Sequence, residues 1–326
     1  MTLEASLPRG PARGGVAPST SPIDLAAFLA LAEPETIALL HTFPDLDAAG
    51  GVIAVREQVR AVVAAVPATP RPDDVTLTVE ADGTRVFTPV DGATDRGILW
   101  IHGGGLIAGE PKQDDAHCAE MASGHGVVVR ACTYGLAPEA PYPSGLEDCV
   151  RALQRAIAHL GSVLIVGGSA GGGLAIATAL VARDRGMEGV RGIVAYFPML
   201  DDRAGRASME RMTVRKTWNA DLDRLAWAAY LSGVGDDVPF YAAPARATAD
   251  QLRGLPPVFM DVGTLDGFFD EDLAFAQSLA RADVPVELCV TPRAWHSSET
   301  VSSGAPSSRR ILAARQSARE RMLADG

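Results

Sequence analysis

The run Val163-Leu164-Ile165-Val166-Gly167-Gly168-Ser169-Ala170-Gly171 constrains this chain more than any other stretch. Four apolar residues bounded by glycine read as a buried strand. The Ala/Leu/Ile-rich sequence that follows reads as a helix to about Arg185. A G-x-S-x-G between a strand and a helix is the nucleophile-elbow pattern, and its spelling is steric. The turn is so tight that the serine takes a strained backbone. Side chains two positions either side would collide, so glycine stands there. The serine hydroxyl is thereby held clear of the sheet, and the amide of Ala170, at the helix start, points toward developing negative charge.

Read outward from this elbow, strand and helix patterns alternate. Strands are expected at Val75 to Val79, Thr84 to Pro89, Gly97 to His102, Val127 to Tyr134, Val163 to Val166, Gly192 to Phe197, Val258 to Asp261 and Val286 to Thr291. Ala81-Asp82-Gly83 joins the first two as a hairpin turn. Helices are expected near Asp114 to Gly124, Leu146 to Leu160, Asp270 to Ala282 and Ser307 to Ala324. In the second of these, Leu146, Cys149, Val150, Leu153, Ile157 and Leu160 share one face. The fold class is therefore α/β: a mostly parallel eight-stranded sheet with helices on both faces and an antiparallel hairpin at its start.

Two segments do not fit the alternation. Residues 22–66 precede any strand and read as helices at Ile23 to Ala32 (opened by Ser21-Pro22), Glu35 to Leu40 and Val52 to Val66. Residues 201–244 interrupt the sheet and carry a helix at Asp221 to Leu231. Both are assigned to a helical cap, the remainder of 67–326 to one catalytic domain, and residues 1–21, rich in Pro, Gly, Ser and Ala, to a disordered segment. No internal repeat is evident.

Composition narrows the classes. With 29 Lys+Arg against 40 Asp+Glu the formal charge is −11, which argues against a nucleic acid or an anionic membrane surface as partner. No apolar run approaches a membrane span, and the first residues lack the apolar core of a secretory signal. Cys118, Cys132, Cys149 and Cys289 form no C-x-x-C pair and read as small buried hydrophobes in a reducing compartment. A cytoplasmic location is expected.

A second chemical motif precedes the elbow. In Ile101-His102-Gly103-Gly104-Gly105-Leu106, directly after a strand, three glycines leave backbone N–H groups unshielded and able to donate to an oxyanion above the serine. A serine nucleophile also needs a base, and the base an orienting carboxylate. The order for this architecture is Ser, then Asp or Glu, then His. Of six histidines only His296 lies downstream of Ser169. For the acid, Asp261 ends its strand too early, and Asp270 and Asp272 begin a helix, where they serve as helix-start charges. Asp266 is the best candidate.

The set His102-Gly-Gly-Gly105, Tyr134-Gly-Leu-Ala-Pro-Glu139, Gly167-Gly-Ser-Ala-Gly-Gly172, Asp266-Gly-Phe-Phe-Asp-Glu271 and His296 resembles the successive signatures of the hormone-sensitive-lipase-like family of α/β-hydrolases. The resemblance spans roughly residues 80 to 320. It implies the α/β-hydrolase fold and carboxylic-ester hydrolysis, with Ser169 as nucleophile, Asp266 as acid and His296 as base. It implies an oxyanion hole from the amides of Gly103, Gly104, Gly105 and Ala170, with Gly104 and Gly105 favoured. Glu139 is implied to support the active-site loops. A homodimer through the sheet edge rests on the family alone.

Departures from the family pattern are Gly168 where Asp is usual, Gly135 where Arg is usual, and Gly267 where Pro follows the acid. Arg293 stands for a customary Gly, and Ser297 for the residue before a customary Phe. None removes an atom of the Ser-His-Asp set. The expected substrate is a small ester of short to medium chain length, cleaved through an acyl-enzyme without cofactor or metal. An amidase or a lactone, carbamate or formamide hydrolase would use the same three residues. A non-catalytic ligand-binding member of the fold is the remaining alternative. Receptors resembling the family lack the histidine, and His296 is present. For the pocket wall, Phe197, Met199, Leu200, Met209, Met212 and Trp218 are candidates either for lining or for core.

Overall fold

The apolar runs that read as central strands are buried on both faces, and the edge runs at Val75 to Val79 and Val286 to Thr291 only in part, so the sheet alternates its side chains between two helical layers. In a computed structural model, residues 21–67, 69–92 and 95–324 are described. The assignment for residues 1–21 lies outside the described residues except for Ser21. The strands are β1 (Val75–Val79), β2 (Arg85–Pro89), β3 (Arg96–Ile101), β4 (Val128–Cys132), β5 (Ser162–Gly168), β6 (Val190–Tyr196), β7 (Val258–Gly263) and β8 (Val286–Thr291). They form one sheet in the order β1-β2-β4-β3-β5-β6-β7-β8. Strand β2 runs antiparallel to β1 and β4, and every other pairing is parallel.

The period of two divides the core. Val163, Ile165, Ile193 and Met260 pack under the helices Ser144–Leu160, Ala170–Asp184 and Phe269–Arg281. Leu164, Val166, Val194 and Phe259 face the helices Asp115–His125 and Pro306–Ala324. The stripe on Ser144–Leu160 is buried as the spacing requires, apart from a half-buried Ile157. Three cysteines are buried, Cys289 is half-buried, and all four are free thiols.

Parallel register aligns the strand ends. Ile101 stands beside Gly167, Gly168 beside Tyr196, Tyr196 beside Asp261, and Gly263 beside Thr291. The loops leaving β3, β5, β7 and β8 therefore emerge along one edge, which is where the sequence places its chemistry.

Residues 22–66 and the segment between β6 and β7 pack on each other. Ile23 bridges to Met212, the Leu46 amide donates to the Arg215 carbonyl at 2.7 Å, and Lys216 Nζ donates to the Phe43 carbonyl at 2.7 Å. The first helix begins at Leu25 rather than Ile23, because the Asp24 carboxylate, not Ser21-Pro22, caps it by accepting the Ala27 amide at 2.7 Å. The second is one turn, Pro34–Ile37, followed by a 3-10 turn at Leu40–Thr42. The third, Gly51–Ala65, buries Val55 alone and leaves Val63 exposed, so the valine repeat overstates its buried face.

Candidate active site

Ser169 adopts φ 56° and ψ −123°, a backbone that costs about 1–3 kcal/mol for an L-residue. Its own main chain offsets that cost. The Ser169 N–H donates to the Tyr196 carbonyl at 2.9 Å, and its carbonyl accepts the amides of Gly173 at 3.1 Å and Met199 at 3.0 Å. The flanking glycine is a steric requirement: a Cβ on Gly171 would overlap the carbonyl oxygen of Ile101, the end of β3. Helix Ala170–Asp184 thus seats directly on the strand beside it.

The three residues selected from the sequence meet. His296 Nε2 lies 3.1 Å from Ser169 Oγ, and His296 Nδ1 lies 2.9 Å from Asp266 Oδ2. The other Asp266 oxygen accepts the Phe268 amide at 3.0 Å, so both oxygens of this buried carboxylate are used. With a carboxylate on Nδ1, that nitrogen carries the imidazole proton and Nε2 is free to accept from the hydroxyl. Edge contacts from Phe197 at 4.7 Å and Phe268 at 5.2 Å fix the ring.

The glycine loop lies alongside. A Cβ on Gly103 would sit 3.3 Å from Ser169 Cβ, so this loop borders the serine. Gly104 takes φ +126°, a conformation closed to other residues. Among the described residues, the amides of Gly104, Gly105 and Ala170 donate to no backbone acceptor, so donors beside the serine are unspent. His102 is buried and neutral, its imidazole pushed down to about 4 by desolvation, and its Nδ1–H donates to the Gly103 carbonyl at 2.8 Å. Tyr134 stacks on that ring at 4.2 Å and donates its hydroxyl to the His102 carbonyl at 2.9 Å.

The departures from the family pattern sit in unlike surroundings. Arg293 and Ser297 both take left-handed backbone, at φ 65° and 61°, on either side of His296. Arg293 is anchored there, its guanidinium donating to the Ala32 carbonyl at 2.8 Å and its amide to Thr264 Oγ1 at 3.0 Å. Gly135 has no room for a side chain, since a Cβ would meet Ala140 Cβ at 2.7 Å. Gly168 does have room: its nearest neighbours would be rings of Phe197, Trp100 and Tyr196, at 3.7 to 3.9 Å. Met209 covers Gly267.

Of the two acids assigned to the helix start, both lie in the first turn of Phe269–Arg281, but only one is solvated there. Asp270 stays half-buried and accepts the Ser208 amide at 2.8 Å. Asp272 is fully buried, neither of its oxygens has a hydrogen-bond partner among the described residues, and burial pushes its carboxyl well up toward the neutral form. Its helix turns inward at this point, so Asp272 cannot act as a solvated charge on the helix dipole.

The sequence reading passed over Arg56, which sits among the valines of Gly51–Ala65. Its guanidinium donates to the carbonyls of Ile107 at 2.6 Å and Ala137 at 2.9 Å and to both Glu139 oxygens at 2.8 and 2.6 Å. That pairing holds the Glu139 carboxyl down to about 2. Arg56 therefore ties the N-terminal segment to the end of the glycine loop, and nothing in the sequence sets it apart from Arg60 one turn on in the same helix. Of the pocket-wall candidates, Phe197 touches His296, and Trp218 lies against Gly105 with its indole N–H toward Asp223 at 3.5 Å. Met199, Leu200 and Met212 are core.

Comparisons with known proteins agree with this fold. A family model described as an alpha/beta hydrolase fold matches residues 98–300. Esterase LipI of Mycobacterium tuberculosis (strain ATCC 25618 / H37Rv) is 30% identical over 278 residues, which is 78% of this chain and 84% of that protein. Hormone-sensitive lipase of Mus musculus is 38% identical over 109 residues, 31% of this chain and 14% of that protein. Among solved structures, one described as "Bacterial Heroin Esterase" aligns with a TM-score of 0.84 at 34% identity, covering 91% of this chain and 99% of the other. With the family model matched over more than half of its length and a 30% identical esterase over most of it, the chain belongs to the hormone-sensitive-lipase-like family of α/β-hydrolases.

Proposed function

We propose that Ser169, His296 and Asp266 are the nucleophile, base and orienting acid of this chain, a serine carboxylic-ester hydrolase, and that it acts on short- to medium-chain esters. The observation that carries the assignment is the unbroken path from Ser169 Oγ to His296 Nε2 at 3.1 Å and from Nδ1 to Asp266 at 2.9 Å.

In this reading Ser169 Oγ attacks the ester carbonyl while His296 takes its proton. Asp266 holds the tautomer and stabilises the imidazolium. The oxyanion is received by the unspent amides of Gly104, Gly105 and Ala170, with Gly103 shaping the loop; losing one such donor raises the barrier by about 3–4 kcal/mol. His296 then returns the proton to the leaving alcohol, and water releases the acyl group by the reverse route.

Residues 22–66 and 201–244 act as the cap over this edge, and the domain boundary falls at residue 67. Bulky side chains at the site favour short acyl groups: Trp218 against Gly105, Met209 against Gly267, and Phe197 against His296. The four free thiols support a reducing, cytoplasmic setting. Among the described residues no helix is long and apolar enough to cross a membrane. Pairing of two copies through the open edge at β8 is part of the same reading.

The test is turnover of p-nitrophenyl esters from acetate to palmitate by the wild type beside Ser169→Ala. Hydrolysis of the short esters, absent in Ser169→Ala, is expected. Wild-type rates in Ser169→Ala, or no turnover of any ester by the folded wild type, would contradict it.

A further inference from the structure

Arg315 lies on the helix Pro306–Ala324, beyond residues 98–300 that the family model matches. It is an arginine in the interior, with only 2% of its surface exposed, and its surroundings explain its cost. Its Nε and Nη2 donate to the two oxygens of Asp261 at 2.6 and 2.9 Å, and its Nη1 donates to Glu299 at 2.7 Å. Its flat face covers the Tyr196 ring, with 3.8 Å from guanidinium carbon to ring centre, and it stands 5.1 Å from the centre of the Phe197 ring.

Each of these partners is one step from the acid or the base. Asp261 belongs to β7, whose last residue, Gly263, accepts the Asp266 amide at 3.1 Å. Glu299 is in the single turn Ser298–Val301 that follows His296. Phe197 touches the imidazole itself, and its amide donates to the Asp261 carbonyl at 2.8 Å. One guanidinium therefore spans the ends of β6 and β7 and the turn after β8.

We infer that Arg315 is the positioning residue for the acid and base of the site, locking the Asp266 and His296 loops to each other through Asp261, Glu299 and the Tyr196–Phe197 rings. The inference rests on the proposed roles of Ser169, Asp266 and His296. The fork geometry matters as much as the charge. Only a planar guanidinium can pair one carboxylate with two N–H groups, donate a third to another carboxylate and lie flat on an aromatic ring; an ammonium supplies a point charge. Arg315 itself meets no substrate, so its influence is on how often His296 stands in line with Ser169 Oγ.

The test uses the full chain as Arg315→Lys and Glu299→Gln, with p-nitrophenyl acetate as substrate. Competent sites are counted by exhaustive reaction with diethyl p-nitrophenyl phosphate, which reports the p-nitrophenol released per active serine. A loss of about 10- to 100-fold in kcat per titrated site, with KM nearly unchanged, is expected in both variants, since misplacement by an ångström costs that much. A kcat per titrated site equal to wild type in either folded variant, even with a lowered Tm, would overturn the positioning role. Should Arg315→Lys not fold, Glu299→Gln decides alone, because it leaves the Arg315–Asp261 pair in place. Ser169→Ala run alongside keeps the two readings apart. If it retains turnover the nucleophile assignment fails, whereas an inactive Ser169→Ala beside unimpaired Arg315 and Glu299 variants removes only the positioning role.

Discussion

Ser169 takes its place through main-chain contacts: its N–H and carbonyl are bonded to Tyr196, Gly173 and Met199, Gly171 admits the carbonyl of the neighbouring strand, and Gly167 admits the carbonyl of Gly171 across the turn. His296 is placed by side chains. A carboxylate from Asp266, rings from Phe197 and Phe268, and the adjacent Trp295, whose indole donates to Thr36 at 2.9 Å, hold its loop. The first arrangement is made by main chain and sterics, and at Gly167 and Gly171 it leaves no choice of residue. The second is assembled from partners far apart in the chain, so its members are separable and its precision is spread over many contacts. The difference predicts how each half fails.

The largest effect should come from the steric half. In Gly171→Ala the added methyl overlaps the Ile101 carbonyl, backbone that cannot swing aside, so helix Ala170–Asp184 must lift off β3. A cost above about 3 kcal/mol is expected, with activity lost, and denaturant unfolding beside ester turnover measures both. Survival of stability and rate in Gly171→Ala would mean that the elbow is looser than its contacts imply. The smallest effect should come one residue before the serine. Gly168→Ala adds a methyl into ordinary contact with the Phe197, Trp100 and Tyr196 rings and relieves the unfolded chain of glycine's freedom. A gain of about 0.4–1 kcal/mol, with the ester rate within about twofold of wild type, is the expected outcome in melting and turnover assays. A large loss of activity would show that the family's usual Asp at this place has been replaced by a functional requirement for glycine.

The same contrast explains what the sequence discloses. The strand-turn-helix around Ser169, the Gly103–Gly105 loop and the eight strands are legible because close approach imposes glycine at fixed spacings and burial on both faces gives the central strands short apolar runs. The Asp266 and His296 assignment came from chain order and elimination, and the 2.9 Å contact between them bears on the geometry of that choice. Arg56 and Arg315 left no such trace. Each is a charged residue whose partners lie in other parts of the chain, Glu139 for one and Asp261 for the other, and no local pattern records a meeting across that distance. Asp272 misled for the same reason: its position says helix start, and only packing puts it inside.

The measurement that bears most directly on the central claim is the location of the acyl group during turnover. The wild type mixed with p-nitrophenyl acetate should release a burst of p-nitrophenol, and acid quenching followed by peptide mass analysis should place one acetyl group on Ser169. Acetyl on another residue, or turnover with no acylated intermediate on a peptide containing Ser169, would contradict the account.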